Sequence, residues 1–330
     1  MIGGSAGSIE ALRDLVPQLP RGLPVAVFVV VHILPTSRSR LPQILERVGW
    51  LPVSHAVDGE PIVPGRILIA PPDRHLVLHA DRVELNAGPR ENSTRPAIDP
   101  LFRSAAAAFG SRVCGVILSG RLDDGADGLG EIAEAGGVAM VQDPREAAHP
   151  DMPRNARRQV RAAEIHTAMR LGRRIAELAR APIPASAEPR PVPGDAPQPP
   201  LLDVQIGAAD PGGVPTGLTC PECGGVLWAD PGAEQLHCRI GHRYSLDTLQ
   251  AQRQLSVEHA MWAAVRALRE DASLARHMAT RARDGNRQHT AASFERRYRQ
   301  AEHSAAVLEG LLLEREPAET PTPEEELSSS

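Results

Sequence analysis

The chain has 330 residues, 42% of them hydrophobic, and a formal net charge of -5. That is enough for one sizeable core with smaller attached units, and it offers no global attraction for nucleic acid or an anionic membrane. Every basic residue is Arg or His, so Walker-type phosphate loops, Schiff bases and Ser-Lys chemistry are excluded.

The chain opens with Ile2-Gly3-Gly4-Ser5-Ala6-Gly7-Ser8, which contains G-x-S-x-G and runs into an amphipathic pattern at Ile9, Leu12, Leu15, Val16 and Leu19. A glycine-rich turn between a strand and a helix exposes a serine hydroxyl close to free helix N–H groups. Val25–Val31 is a continuous β-branched run, the mark of a parallel strand buried on both faces, and it ends in His32. A helix is expected around Leu41–Val48 and a short strand at Arg66–Ala70. Leu76–His79 and Arg82–Leu85 read as a hairpin at a sheet edge. Ile98–Phe109 is a helix closed by Gly110. Val113–Leu118 is a buried strand, and the loop Arg121-Leu122-Asp123-Asp124-Gly125 leads into a helix ending near Gly136. Val138–Val141 is a further strand, and Ile165–Leu178 a closing helix. The first part of the chain therefore reads as α/β, a doubly wound and mainly parallel sheet.

The rest is organised differently. A proline-rich linker, expected to be disordered, spans 182–216. A Cys/His module occupies 217–245, a helical hairpin 246–315, and an acidic disordered tail 316–330. The hairpin stripes are Met261, Val265, Leu268, Ala272 and Ala275, then Phe294, Tyr298, Ala301, Ala305, Leu308 and Leu312. The helices break at Asp284-Gly285-Asn286. A regulatory partner, or self-association, through these helices is a further expectation.

Ser5, His32 and Asp124 each follow an apolar strand, and ligand sites of open parallel sheets lie at strand carboxyl ends. A serine hydroxyl needs a base, a neutral histidine supplies one near pH 7, and a carboxylate fixes the imidazole. Taken singly, each has an ordinary structural reading as a turn, a carbonyl cap or an N-cap. Together they make a serine hydrolase an even choice.

The same segments resemble the CheB protein-glutamate methylesterases. Ile2–Ser8 is similar to their serine motif and Val30-Val31-His32-Ile33-Leu34-Pro35 to their histidine strand. Ala70-Pro71-Pro72-Asp73-Arg74-His75 is similar to their A-P-x-D-x-H segment, and Arg95–Phe102 to their R-P-S/A-x-D-x-L-F helix entry. Leu118–Gly125 resembles their T-G-M-G-x-D-G loop. The resemblance covers residues 1–181 and implies hydrolysis of glutamate γ-methyl esters, and in many members glutamine deamidation, on cytoplasmic chemoreceptor helices. It implies Ser5 as nucleophile, His32 as base and Asp124 as orienting carboxylate, with backbone N–H groups of Ala6 and Arg121 as oxyanion donors. No cofactor is implied for catalysis.

Departures from the pattern are Arg121-Leu122 in place of Met-Gly, the extra charge of Asp123, and a very short first strand that suggests a truncated start. No receiver domain is expected before the esterase, so control falls to the C-terminal region. The basic run Arg154, Arg157, Arg158, Arg161, Arg170, Arg173 and Arg174 is first a solvated face, and secondarily a docking surface for acidic receptor helices. With no apolar run long enough to span a bilayer and no leader-like opening, the expected compartment is the cytoplasm, without membrane insertion.

Cys220, Cys223, Cys238 and His242 give C-x2-C-x14-C-x3-H, a closed Cys3His set suited to structural zinc. His237 is the less favoured fourth ligand. Cys114 reads as core. The module has too few interleaved aromatic and basic residues for a nucleic-acid ribbon. The competing expectation is a weakly catalytic scaffold of a chemosensory pathway that binds receptor-like helices.

Overall fold

A computed structural model describes residues 1–33, 39–181, 213–229 and 235–313. The expected linker and acidic tail fall largely outside those residues. The described chain divides into two units, Met1–Leu249 and the part beginning at Gln250.

The first unit is built on seven strands: β1 (Ile2–Gly4), β2 (Val27–Val31), β3 (Val53–His55), β4 (Ile67–Ile69), β7 (Cys114–Ile117), β8 (Val138–Gln142) and β9 (Glu164–His166). Their order is β3-β4-β2-β1-β7-β8-β9, and every pairing is parallel. A separate antiparallel pair, β5 (His75–Leu78) and β6 (Val83–Asn86), forms the expected hairpin. It does not extend the main sheet. Leu76, Leu78 and Val83 pack into the core, and the Leu78 N–H donates to Ser104 Oγ at 3.0 Å, so the hairpin lies on a helix face instead.

Among the described residues six helices cover the sheet: α1 (Ser8–Leu15), α2 (Leu41–Glu46), α3 (Ile98–Phe109), α4 (Ala126–Glu134), α5 (Asp151–Gln159) and α6 (Ala168–Leu178). β2 shows why both faces must be covered. Val27, Val29 and Val31 enter one core with Leu12, Leu15, Leu45 and Leu171, while Phe28 and Val30 enter the other with Ile98, Phe102, Leu129 and Ala156. The period of two along a strand sends successive apolar side chains to opposite layers, and each layer needs helices over it. Cys114 packs against the first of these cores.

Three elements differ from expectation, the first being β3 (Val53–His55), an edge strand where none was expected. Glu164–His166 is the edge strand β9, not the first turn of the closing helix, which starts at Ala168 with Thr167 Oγ1 accepting from the Arg170 N–H at 3.3 Å. Residues Asp151–Gln159 form α5, whose many arginines hide a buried stripe of Met152, Pro153 and Ala156. The arginine run is largely tied down locally: Arg174 pairs with Glu164 at 2.9 Å and Arg170 with Glu177 at 2.6 Å, while Arg173 donates to Gln18 at 3.1 Å.

The Cys/His module belongs to this unit. It is the four-stranded antiparallel sheet β10 (Val214–Thr219), β11 (Val226–Ala229), β12 (Gln235–Cys238) and β13 (Arg243–Ser245), paired in chain order. β10 starts inside the segment read as linker. The next helix, α7 (Leu246–Asp284), opens within the first unit.

The second unit holds the remainder of α7 and α8 (Gln288–Leu313), which run antiparallel. Val265, Ala272, Ala275, Ala301, Ala305 and Leu312 of the expected stripes are buried between them. Arg269–Glu309 and Arg297–Asp271 ion pairs, each 2.6 Å, flank the seam. The break falls where the sequence placed it, with Asn286 in the left-handed region at φ 54°. Among the described residues no helix is long and apolar enough to cross a membrane.

Candidate active site

β1, β2 and β7 are neighbours at the centre of the sheet, and the chain order reverses at β1. The residues that leave their carboxyl ends are therefore brought to one edge. In register, Gly4 pairs with Val31, which sets Ser5 beside His32, and the His32 N–H donates to Gly4 O at 3.2 Å. The Ser5 N–H donates to Ser119 O at 2.9 Å, tying β1 to the end of β7.

His32 Nε2 lies 2.6 Å from Asp124 Oδ2. A carboxylate accepts, so Nε2 carries the ring proton and Nδ1 is left as the basic nitrogen. The pair is enclosed, with side-chain exposures of 16% and 3%. Asp124 is also held by the start of α3: Oδ2 accepts from the Ile98 N–H at 2.7 Å and Oδ1 from the Asp99 N–H at 3.5 Å. Burial pushes its carboxyl up, but the bond and charge of His32, the Ile98 N–H and Asn92 outweigh it and leave Asp124 below the ordinary carboxylate range.

Ser5 is partly exposed, and among the described residues its hydroxyl makes no hydrogen bond. The turn around it is tight. A Cβ at Gly120 would stand 3.0 Å from Ser5 Cβ and 2.6 Å from Met152 Sδ, so only glycine allows this approach. Ser119 Oγ donates to Ala6 O at 2.8 Å and accepts from the His149 N–H at 2.9 Å, which fixes the spacing of the two loops. The N–H groups of Ala6 and Arg121 have no acceptor among the described residues. The N–H groups of Gly7 and Leu122 are likewise without an acceptor there, so loops 5–7 and 120–122, which meet where Gly120 approaches Ser5, leave several backbone donors free.

The segment between the hairpin and α3 buttresses this edge. His75 is buried, accepts from the Ala97 N–H at 3.3 Å and stands 2.9 Å from Pro89 O; burial lowers its pKa and keeps it neutral. Arg95 bonds Asp73 at 2.8 Å and also donates to Ala87 O and Gly88 O. His75 and Arg95 thus hold the segment that leads into α3, whose Ile98 N–H binds Asp124.

The site also depends on residues that the sequence did not single out. Asn92, 6% exposed and left-handed at φ 48°, donates from Nδ2 to Asp124 Oδ1 and Asp99 Oδ2, each at 3.2 Å. Burial and the Asp124 charge raise Asp99 well above the usual carboxylate range. Thr94 Oγ1 stands 3.4 Å from His32 Nε2. Asp123 does not face His32. It accepts from Ser245 Oγ at 2.8 Å and Thr248 Oγ1 at 2.9 Å, and burial raises its pKa.

In the small sheet, the ligand atoms of Cys220, Cys223, Cys238 and His242 lie within 4.8 Å of one another. Two knuckles create this: the Gly224 N–H donates to Cys220 O at 2.9 Å, and the Gly241 N–H to Cys238 O at 2.9 Å. Cys223 and Cys238 Sγ are 3.6 Å apart, and His242 Nδ1 is 3.4 Å from Cys238 Sγ and 3.7 Å from Cys220 Sγ. Zinc bond lengths of about 2.3 Å to sulfur and about 2.0 Å to nitrogen imply tetrahedral edges of about 3.5–3.8 Å. The cluster fits a metal, and it uses His242, not His237. Tyr244, fully buried, places its hydroxyl 3.5 Å from Cys220 Sγ.

The chain matches the family model for CheB methylesterase over residues 1–175. A Leptospira interrogans protein named for protein-glutamate methylesterase/protein-glutamine glutaminase activity is 37% identical over 179 residues, 54% of this chain and 91% of that one. A corresponding Anaeromyxobacter dehalogenans protein is 40% identical over 156 residues, 47% of this chain and 46% of its own. The Thermotoga maritima CheB methylesterase catalytic domain superposes with a TM-score of 0.52 at 31% identity, covering 54% of this chain and 96% of that domain. On the family match and the shared fold, this chain belongs to the CheB methylesterase family.

Proposed function

We propose that the first unit is a protein-glutamate methylesterase whose triad is Ser5, His32 and Asp124. The observation that carries this reading is the 2.6 Å His32–Asp124 bond, formed one strand away from a serine in register. In the proposed reaction, Ser5 Oγ attacks the γ-ester carbonyl of a glutamate side chain while His32 Nδ1 takes its proton. The Ala6 and Arg121 N–H groups receive the oxyanion. Collapse of the tetrahedral adduct breaks the C–O bond, His32 returns its proton, and methanol leaves. Water then cleaves the acyl-enzyme by the same route, giving the carboxylate. A glutamine amide enters the same cycle with ammonia as leaving group. The substrate class is a methyl-accepting chemoreceptor helix, as the family name implies.

The Cys3His cluster would hold structural zinc, since four protein ligands leave no open position. Catalysis would draw on the triad alone.

The test is methanol release from a methylated chemoreceptor cytoplasmic fragment. Turnover should vanish in Ser5→Ala and in Asp124→Asn. If the wild-type chain binds the fragment without releasing methanol, the scaffold function replaces this one, with Arg121-Leu122 as the first suspects.

A further inference from the structure

Asn92 is satisfied from two sides. Its Nδ2 serves the two carboxylates of the site, while its Oδ1 accepts from the Ser245 N–H at 3.1 Å and its own N–H donates to Arg243 O at 2.9 Å. Both of those partners lie on β13, the last strand of the Cys/His sheet. β13 follows His242 directly, and its Tyr244 hydroxyl reaches Cys220 Sγ. One three-residue strand therefore touches the ligand cluster with one residue and the support of the catalytic carboxylate with the two beside it.

We propose that Asn92 is a positioning residue for Asp124, and that the metal-loaded Cys/His sheet sets it in place. Built on the triad reading above, this makes the sheet a working part of the esterase edge. The physical argument is one of satisfaction. A buried amide with an unpaired carbonyl and N–H costs free energy, and a left-handed asparagine has other conformations to relax into. β13 removes that freedom by occupying both groups. Asn92 then has one orientation left, with its NH2 toward Asp124 and Asp99.

The seam between the sheet and the esterase supports the same conclusion. It holds an open cleft of about 830 Å³ lined by polar groups, among them Arg103, Asp127, Glu131 and Arg243. Docking is therefore made by discrete bonds: Ser245 and Thr248 on Asp123, Arg90 to Glu222 at 3.6 Å, and Gln235 to Asp127. Bonds of this kind need a folded sheet, and a core of Leu227, Leu236, Tyr244 and Leu249 plus two of the cysteines needs its metal to fold. Asp123, an oddity within the catalytic loop, is explained as the anchor for this docking.

The experiment uses the full chain loaded with Zn²⁺, with metal content measured before and after chelation. The readout independent of turnover is the downfield NMR signal of the His32 Nε2 proton, which reports the bond to Asp124. On removal of Zn²⁺ this signal should shift or broaden, and kcat should fall on the order of tenfold to a hundredfold. Both should return when Zn²⁺ is restored. Asn92→Ala should show the altered signal with the metal in place and should no longer respond to chelation. A His32 signal and kcat unchanged by complete metal release, or an Asn92→Ala protein that still responds fully, would overturn the proposal. A wild-type chain that never releases methanol but whose His32 signal follows the metal would fault the esterase reading and leave the coupling standing.

Discussion

The central sheet and the Cys/His sheet are held together by opposite means. The first buries two large apolar clusters, one on each face, and the polar groups of the proposed triad are additions beyond the strand ends. Among the described residues the second has six buried residues in its core, two of them cysteines of the candidate metal cluster. A hydrophobic core tolerates a change at its rim, whereas a sheet closed by four ligands stands or falls with the ion. The lesson is one of placement. The conditional part of the molecule touches the constant part at Asn92, which is bonded to the carboxylate of the proposed triad, and at Asp123, next to that carboxylate in the chain.

The largest expected effect is on the conditional sheet. Structural zinc in small modules is worth on the order of 10 kcal/mol. Chelation should therefore abolish hydrogen-exchange protection across β10–β13 while β1, β2 and β7 remain protected. Equal loss in both sheets would break the distinction between them.

Next comes the chemistry of the constant sheet. Ser5→Ala and Asp124→Asn should each lower kcat by about 10⁴-fold, with the fold retained in circular dichroism. Gly125→Ala should follow. Gly125 lies at φ 89°, and an added Cβ would meet Ile98 Cγ2 at 2.6 Å and Ile117 Cδ1 at 2.7 Å. The cost should be roughly 2–4 kcal/mol, measured by denaturant unfolding, because both backbone and core must move.

The smallest effect concerns β9, the sheet's edge. Arg174 holds the Glu164 carboxyl near a pKa of about 2, below its ordinary value. A depressed carboxylate adds stability that is present above the unfolded pKa and is lost as pH falls through the folded one. The contribution should thus fade between about pH 5 and pH 2. Screening at this partly exposed pair limits it to about 1 kcal/mol. Glu164→Gln should lose that amount at pH 7 and show a flatter acid limb, and an unchanged limb would remove the pair from the account.

The contrast between the sheets also explains what could be read from the sequence. His32 stood out because β2 is an unbroken apolar run that ends just before it, whereas Ser5 and Asp124 stood out through the glycines beside them, Gly4 and Gly125. The ligand set was legible because its spacing is local. Asn92 gave no local signal: its partner Ser245 lies 153 residues away, and an asparagine before a serine reads as a loop. Asp123 looked like a departure from the motif for the same reason, since Ser245 and Thr248 explain it only once β13 is in place. β9 was misread because Ile165 continues the apolar spacing of the helix that follows it. α5 was missed because its six polar and charged residues outnumber its three buried ones.

The most direct test of the central claim is whether Ser5 is the activated nucleophile. Intact-mass analysis after exposure to a serine-reactive fluorophosphonate should find one adduct, mapped to Ser5, absent from Ser5→Ala and much slower in Asp124→Asn. An unlabelled chain, or a label on another residue with Ser5 intact, would contradict the triad.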